Sequence, residues 1–467
     1  MAGGDIREFD AESIHSVAPP GRPAVAWLLG LAALGLVAAA LHALLIEDGY
    51  RRFMLAYLVA FAFVLSLTLG AMAFVLIQHL TRAGWSVLVR RPAEVLSANM
   101  PILAVLFIPI AVSVLVGGGE IYPWAQPEAA AVERVLPAEP LVEEDEAGNP
   151  AGPANHDPPA LGTFGNGDSG GARPGPGYEH QQLDDFTLSK RAYLNAPFFI
   201  LRWVAFLGIW AWAGWFFWRH SIRQDQSGDP ALTVKMERWA GPVAVLLAFT
   251  LTFAAKDLLV TLNPHWYSTI FGIYYFSGAI VGALSVLVIA IVLLRRAGLV
   301  PRETGEEHFL DLGRLLFAFV FFWGYIAFSQ YMLLWYANVP EMTAWLRIRG
   351  ATTVPEDVNA WSIIALVLLV GHFFVPFCVL MTRHSKRRPL RLAIVAAWLL
   401  VMHYLDLAWV VLPELGPALT LGGIEAGLML TVGCIYALAA WRVAAGHRMV
   451  PARDPRLDES ILHEPLY

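Results

Sequence analysis

The chain has 467 residues, of which 57% are apolar and 15% charged, with a mean hydropathy of +0.56 and a formal net charge of -6. Soluble domains carry nearer ~25% charged residues, and no water-facing surface hides this much apolar side chain, so an integral membrane protein is left. The charge gives no sign of a nucleic-acid partner, and Cys378 and Cys434, each inside an apolar run without ligand spacing, exclude protein-ligated iron-sulfur clusters, c-type haem attachment and structural zinc.

Apolar windows of about 20 residues, enough to cross ~30 Å of hydrocarbon as helix, recur ten times. They predict spans near 24–46, 52–79, 99–116, 197–219, 241–262, 268–294, 312–337, 359–382, 389–412 and 421–445. Each segment must close its own backbone hydrogen bonds in lipid, so an all-α integral membrane protein with ten transmembrane helices is expected. The alternation of a barrel is absent. Residues 1–23 form an N-terminal tail, with no feature of a cleaved leader. Spans one to three follow over 24–116, a connection over 117–187, spans four to ten over 188–445 and a C-terminal tail over 446–467. With the N-terminus cytoplasmic, 22 of the 32 Lys and Arg residues fall on the cytoplasmic side, including Arg383, Lys386, Arg387, Arg388 and Arg391 in one short turn, against 8 on the other. The positive-inside rule therefore places both termini in the cytoplasm. Between Gly117 and Phe186 there are 13 acids against Arg134 and Arg173, with many Pro and Gly. This reads as an extended periplasmic spacer or an arm along an extramembrane partner, not a folded domain.

Ionisable residues inside spans are costly, so each is a functional candidate. The fifth span carries Lys256 and Asp257 in its outer third, and Asn263, Pro264, His265, Trp266 and Tyr267 precede the sixth. The seventh ends in Ser329, Gln330, Tyr331, Trp335 and Tyr336, and Arg202 lies early in the fourth. The ninth places His403 at mid-depth with Asp406 three residues on, hence on one helical face. The cytoplasmic halves hold little comparable beyond their basic ends, so the polar chemistry is expected to face the periplasm. A structural alternative makes Trp266, Tyr267 and Trp335 interface aromatics, lets Arg202 snorkel and pairs Lys256 or Asp257 with a neighbour. For Asp406 with His403 a proton relay is the stronger reading, because a deep carboxyl must bind a cation or hold a proton and an imidazole exchanges protons near neutrality. His372 in the eighth span lies at nearly the depth of His403. A b-type haem between them, a satisfied core histidine and a relay with Asp406 are the alternatives.

Three segments carry a resemblance: Asp257 to Gly278 (DLLVTLNPHWYSTIFGIYYFSG), Ala318 to Thr343 (AFVFFWGYIAFSQYMLLWYANVPEMT) and His403 to Pro413 (HYLDLAWVVLP). Together they resemble the second of the two quinone-binding membrane subunits of bacterial alternative complex III, a quinol:electron acceptor oxidoreductase, and through it the NrfD or polysulfide reductase family of membrane proteins. Lys256, Leu258 and Asn263 depart from that pattern. The resemblance implies two four-helix bundles, helices two to five and six to nine, plus two peripheral helices, in a bacterial inner membrane. It also implies a paralogous ten-helix membrane subunit, an iron-sulfur subunit, multihaem cytochrome c subunits and small membrane subunits as partners. Haem and iron-sulfur clusters would then sit on the partners, this chain would bind none covalently, and a quinone or quinol (menaquinol or ubiquinol) would be its ligand. His403 and Asp406 are the expected proton relay. Asp257, Lys256, His265, Tyr267, Ser329, Gln330, Tyr331 and His372 are the expected quinone-pocket or proton-path residues. An ion-coupled secondary transporter using Lys256, Asp257 and Asp406, and a purely structural scaffold, are the competing readings.

Overall fold

The computed structural model describes residues 15–116, 119–125, 187, 189–301, 303–352 and 355–463. The predicted spacer over 117–187 falls mostly outside them, as does most of the N-terminal tail. Ten helices are long and apolar enough to cross a membrane: α1 (Arg22–Ala43), α2 (Gly49–Leu80), α3 (Gly84–Val116), α4 (Ala196–Ser227), α5 (Pro230–Leu262), α6 (Phe271–Arg296), α7 (Glu306–Ala337), α8 (Trp361–Met381), α9 (Pro389–Leu415) and α10 (Gly423–Ala444). No strand occurs among the described residues.

The helices form two four-membered rings. In the first, α2, α3, α4 and α5 each pack on the next, and α5 closes on α2; in the second, α6, α7, α8 and α9 do the same, with α9 closing on α6. The rings meet where α2 lies against α6 and α9. That position explains the composition of α2, in which every residue from 54 to 76 is buried: a helix apolar on all sides belongs in a core or in lipid. The equally apolar α1 takes the other course. It packs chiefly on α10, where Gly35 and Gly427 leave so little space that a Cβ on either would fall 2.5 or 2.6 Å from the other's carbonyl oxygen, and it turns Leu34, Val37 and Leu41 outward.

The first and last described segments lie on one side of the bundle, joined by Val17 N donating to His447 O (2.9 Å). We call this the terminal face and the opposite one the loop face. α3, α4, α5 and α7 run several residues longer on the terminal side than the apolar windows predict. At ~1.5 Å per residue, a 32-residue helix such as α4 measures about 48 Å against a hydrocarbon core of ~30 Å. The largest departure is α3, expected from residue 99 but starting at Gly84. Arg90, Arg91 and Glu94 read as a connection because three charges interrupt the apolar run. Instead they lie buried within a helix, because Arg90 pairs with Glu94 (2.8 Å) and with Asp454 of the C-terminal tail (2.7 Å), while Arg91 reaches Asp225 on α4 (2.8 Å). α3 breaks only at Asn99, whose side-chain amide donates to Tyr436 O (3.2 Å), just before Pro101.

α8 is also irregular. Residues Leu369–Phe374 form a π-helical turn that carries His372. Pro376 follows and supplies no backbone donor, while Trp398 Nε1 of α9 donates to Gly371 O at 2.7 Å.

Candidate functional site: a buried carboxyl and two histidines between the bundles

His403 and Asp406 face inward from α9 at 1% and 2% exposure, toward α6, α7 and α2. The Asp406 carboxylate accepts a short hydrogen bond from the Tyr274 hydroxyl of α6 and one from Trp323 Nε1 of α7 (3.2 Å). Both donors are neutral. Trp323 stacks on the His372 ring of α8, centroids 3.9 Å apart, and that ring lies 6.5 Å from the His403 ring. The π-helical turn thus brings His372 to the same centre as the α9 pair.

Room for the His403 ring comes from α6. A Cβ on Gly278 would fall 2.8 Å from His403 Cε1 and 2.9 Å from Nδ1, and one on Gly282 would fall 2.9 Å from Cδ2, so the ring lies against bare backbone. Its Nε2 is 2.8 Å from Ser66 Oγ of α2. Ser66 Oγ is also 2.6 Å from Phe63 O, and a hydroxyl has one proton to give. The network therefore assigns that proton to Phe63 O, places a hydrogen on His403 Nε2 that is donated to Ser66, and leaves Nδ1 with its lone pair. Nδ1 has no hydrogen-bond partner among the described residues. It lies beside the same Gly278 position from which Asp406 Oδ2 is 3.8 Å away. A proton-accepting nitrogen and a carboxyl thus flank one glycine without touching.

The remaining expected residues do not converge on this centre. Asp257 is fully buried and clasped by Arg202 through two contacts of 2.7 and 3.1 Å, with the Tyr193 hydroxyl at 2.9 Å. Arg202 does not snorkel: it is 8% exposed, with its guanidinium 3.9 Å from the Tyr193 ring centroid. This pair joins α4 to α5 in the other bundle. Lys256, the residue before Asp257, is half-buried with no ion pair among the described residues. The His265 amide nitrogen donates to Asn263 Oδ1 (3.1 Å), and Tyr267 is 60% exposed beneath the Lys190 ammonium. Ser329 and Tyr331 are half-buried, and Gln330 Oε1 accepts from Ser268 Oγ at 3.4 Å. Gln330 lies seven residues beyond Trp323 on α7, about 10 Å toward the loop face at helical rise. What reads as one polar layer is therefore two clusters, one deep and one at the loop face.

The packing also tests a haem between His372 and His403. Trp323 covers one face of His372, and the α6 backbone at Gly278 and Gly282 lies against His403. Side chain and backbone occupy the space that a macrocycle would need, so these residues do not fit one. A cavity of about 210 Å³ does exist elsewhere, between α2, α5 and α6, lined among others by Ala73, Leu247, Thr252, Gly272 and Phe276. Its walls are almost wholly apolar and include none of the residues expected to bind quinone.

Several groups at these sites carry no sequence signal of their own. Ser66 sits 337 positions from His403 in an unbroken apolar run. Tyr274 and Trp323 lie inside the segments that carry the resemblance, yet each reads there as one aromatic among several. Arg349 is 0% exposed, stacked 3.8 Å from the Trp345 ring centroid, and donates to Val410 O, one turn beyond Asp406, and to Glu414 Oε1 (2.8 Å). It caps the loop-face end of α9 with positive charge, as a helix C-terminus favours. The expectation that the terminal halves hold little polar chemistry is corrected by the buried Arg90, Arg91, Glu94 and Asp454 network described above and by His79 beside it, 2% exposed and stacked on Phe217. Those charges are legible in sequence as a connection; only the folded tail shows them paired.

No family model matches the chain, and no curated protein matches it.

Proposed function

We propose that the chain is a membrane subunit of a quinol-oxidising respiratory complex of the alternative complex III type, and that its own contribution is a proton relay built from Asp406 and His403. The three segments quoted above support membership of such a complex, and the hydrogen bonding around Asp406 supports the relay. One observation carries it: a buried carboxyl whose hydrogen-bond donors are both neutral stands one helical turn from an imidazole whose accepting nitrogen lies beside the same glycine, Gly278. A charge at Asp406 has no counter-cation among the groups that contact it, so the site favours a carboxyl that takes up and gives up a proton. A water between Asp406 Oδ2 and His403 Nδ1 would carry that proton to the imidazole. The imidazole takes that proton at Nδ1, held in place by the Nε2–H it donates to Ser66, and gives it back from the same nitrogen.

Quinol oxidation releases two protons, and a relay of this kind supplies groups that hold and hand them on. Asp257 and Lys256 are left out of the path, because Arg202 holds Asp257 in a structural ion pair. The competing transporter would use Asp257 as a coupling ion site, and the same ion pair argues against it.

The test is purification from native membranes in mild detergent through a C-terminal tag, with absorption spectra and polypeptide masses read on one sample. Co-purification of c-type haem and a large iron-sulfur polypeptide is the expected result. A lone colourless chain, obtained under conditions that keep other respiratory complexes intact, overturns the assignment.

A further inference from the structure

The turn between α8 and α9 concentrates positive charge that the fold does not neutralise. Residues 383–391 hold five Lys and Arg and no acid. Arg387 pairs with Glu307 (2.9 Å). Arg383, Arg388 and Arg391 are exposed, and no ion pair joins them to any described residue. Lys386 is 7% exposed, its stem lying across Gly313 of α7, where a Cβ would come within 2.7 Å of Lys386 Cγ. Its ammonium has no carboxylate partner among the described residues and sits 5.1 Å from the Phe317 ring centroid. Burial and the nearby Arg314 and Arg383 push the Lys386 ammonium below the ordinary lysine pKa. An anion at this point would relieve both the burial of Lys386 and the mutual repulsion of its neighbours.

Just below the cations the surface is apolar and aromatic. Phe317 packs on Phe377 of α8 with centroids 5.1 Å apart, Phe321 lies 6.2 Å from Phe377 and is 53% exposed, and Leu390 at the start of α9 is 56% exposed. Cations at the end of two spanning helices, directly above a partly exposed aromatic patch, match a molecule with an anionic head and an apolar body. A free phosphate would use the cations and leave the aromatic patch bare.

We propose that the turn at residues 383–391, with the aromatic patch of Phe317, Phe321 and Phe377 beneath it, is a binding site for an anionic phospholipid. The phosphodiester contacts Lys386 and the exposed arginines, and an acyl chain lies along the aromatic faces. This assignment rests only on the helices spanning a bilayer and is independent of the relay.

The experiment is native mass spectrometry of the full chain in detergent, titrated separately with phosphatidylglycerol and with phosphatidylcholine of the same acyl chains. The wild type is expected to retain phosphatidylglycerol at least tenfold better. Near a membrane surface each Lys or Arg is worth about a fivefold change in affinity, so Arg383→Gln with Arg388→Gln and Arg391→Gln should bring the two lipids to parity. The corresponding triple Lys variant should keep the preference. Three charges removed from the other bundle (Arg219→Gln, Arg223→Gln, Lys235→Gln) should leave it within about twofold, since a diffuse field falls off within a Debye length. If the triple Gln variant does not fold, Arg388→Gln alone should cost about fivefold. Equal retention of both lipids by the wild type, an equal loss in the control variant, or complete displacement of phosphatidylglycerol by inorganic phosphate would each overturn the proposal.

Discussion

Asp406→Asn and Asp257→Asn make the same chemical change in two buried carboxylates, and the structure separates their consequences. At Asp406 the amide keeps one acceptor oxygen, so either Tyr274 or Trp323 stays bonded and the other donor meets an NH2 group. One unsatisfied buried donor costs about 1–3 kcal/mol. At Asp257 the change removes the carboxylate that pairs with a guanidinium at 2.7 and 3.1 Å, and stranding a buried cation costs about 3–5 kcal/mol. Asp257→Asn should therefore be the less stable variant by roughly 2 kcal/mol, read as the lower unfolding midpoint in detergent. Function should follow the opposite order. Asn cannot hold and release a proton, so Asp406→Asn should abolish relay-dependent proton release on quinol oxidation, followed with a pH dye in proteoliposomes of the assembled complex. Asp257→Asn, where it assembles, should retain it. Wild-type proton release from an assembled Asp406→Asn complex would refute the relay, and a stability loss matching that of Asp257→Asn would refute the neutral-donor description of its site.

Gly278→Ala places a methyl group 2.8 Å from His403 Cε1, and overpacking of this kind costs about 1–3 kcal/mol; it should also stop proton release by forcing the His403 ring away from Asp406, measured in the same proteoliposomes. Ser66→Ala removes the group that accepts the His403 Nε2 proton, leaving a buried N–H unpaired at about 1–3 kcal/mol, visible as an earlier thermal transition. Asp454→Ala takes one of two carboxylates from the buried Arg90, and because Glu94 remains at 2.8 Å the loss should be about 3 kcal/mol or less, with faster proteolysis of the C-terminal tail as a second readout. In detergent without anionic lipid, Lys386→Met should be at least as stable as the wild type, because it removes a partly desolvated charge. The sign with pH agrees: the folded chain gives up the Lys386 proton before the unfolded chain does, so this contribution is flat below the folded-state pKa and rises with pH from there toward the ordinary lysine value. Denaturant titrations across that alkaline window should show the rise in the wild type and not in the variant.

Much of the architecture was legible in the residues. Ten spans follow from runs of apolar residues because lipid leaves a backbone no partner but itself, and that constraint is local. The same logic marks Asp406 and His403, since a charge in such a run is conspicuous and a spacing of three places both on one face. The start of α3 departs from the apolar window for a physical reason: Arg90, Arg91 and Glu94 look like solvated connection until Asp225 and Asp454, remote in sequence, neutralise them. Asp257 shows the converse, a conspicuous carboxyl made structural by Arg202, 55 positions earlier.

What the sequence by itself determined is the solvent each segment seeks and the identity of the costly groups placed in it. Which of those groups meet was decided by tertiary structure alone. Ser66, Tyr274, Gly278, Trp323 and His372 reach His403 and Asp406 from four other helices, and no spacing along a chain encodes the crossing of helices that brings a hydroxyl, a bare stretch of backbone and a π-helical turn to one point. The tautomer of His403 is of the same kind, because it is set by the carbonyl of Phe63 on a neighbouring helix through a serine that the sequence gives no reason to notice.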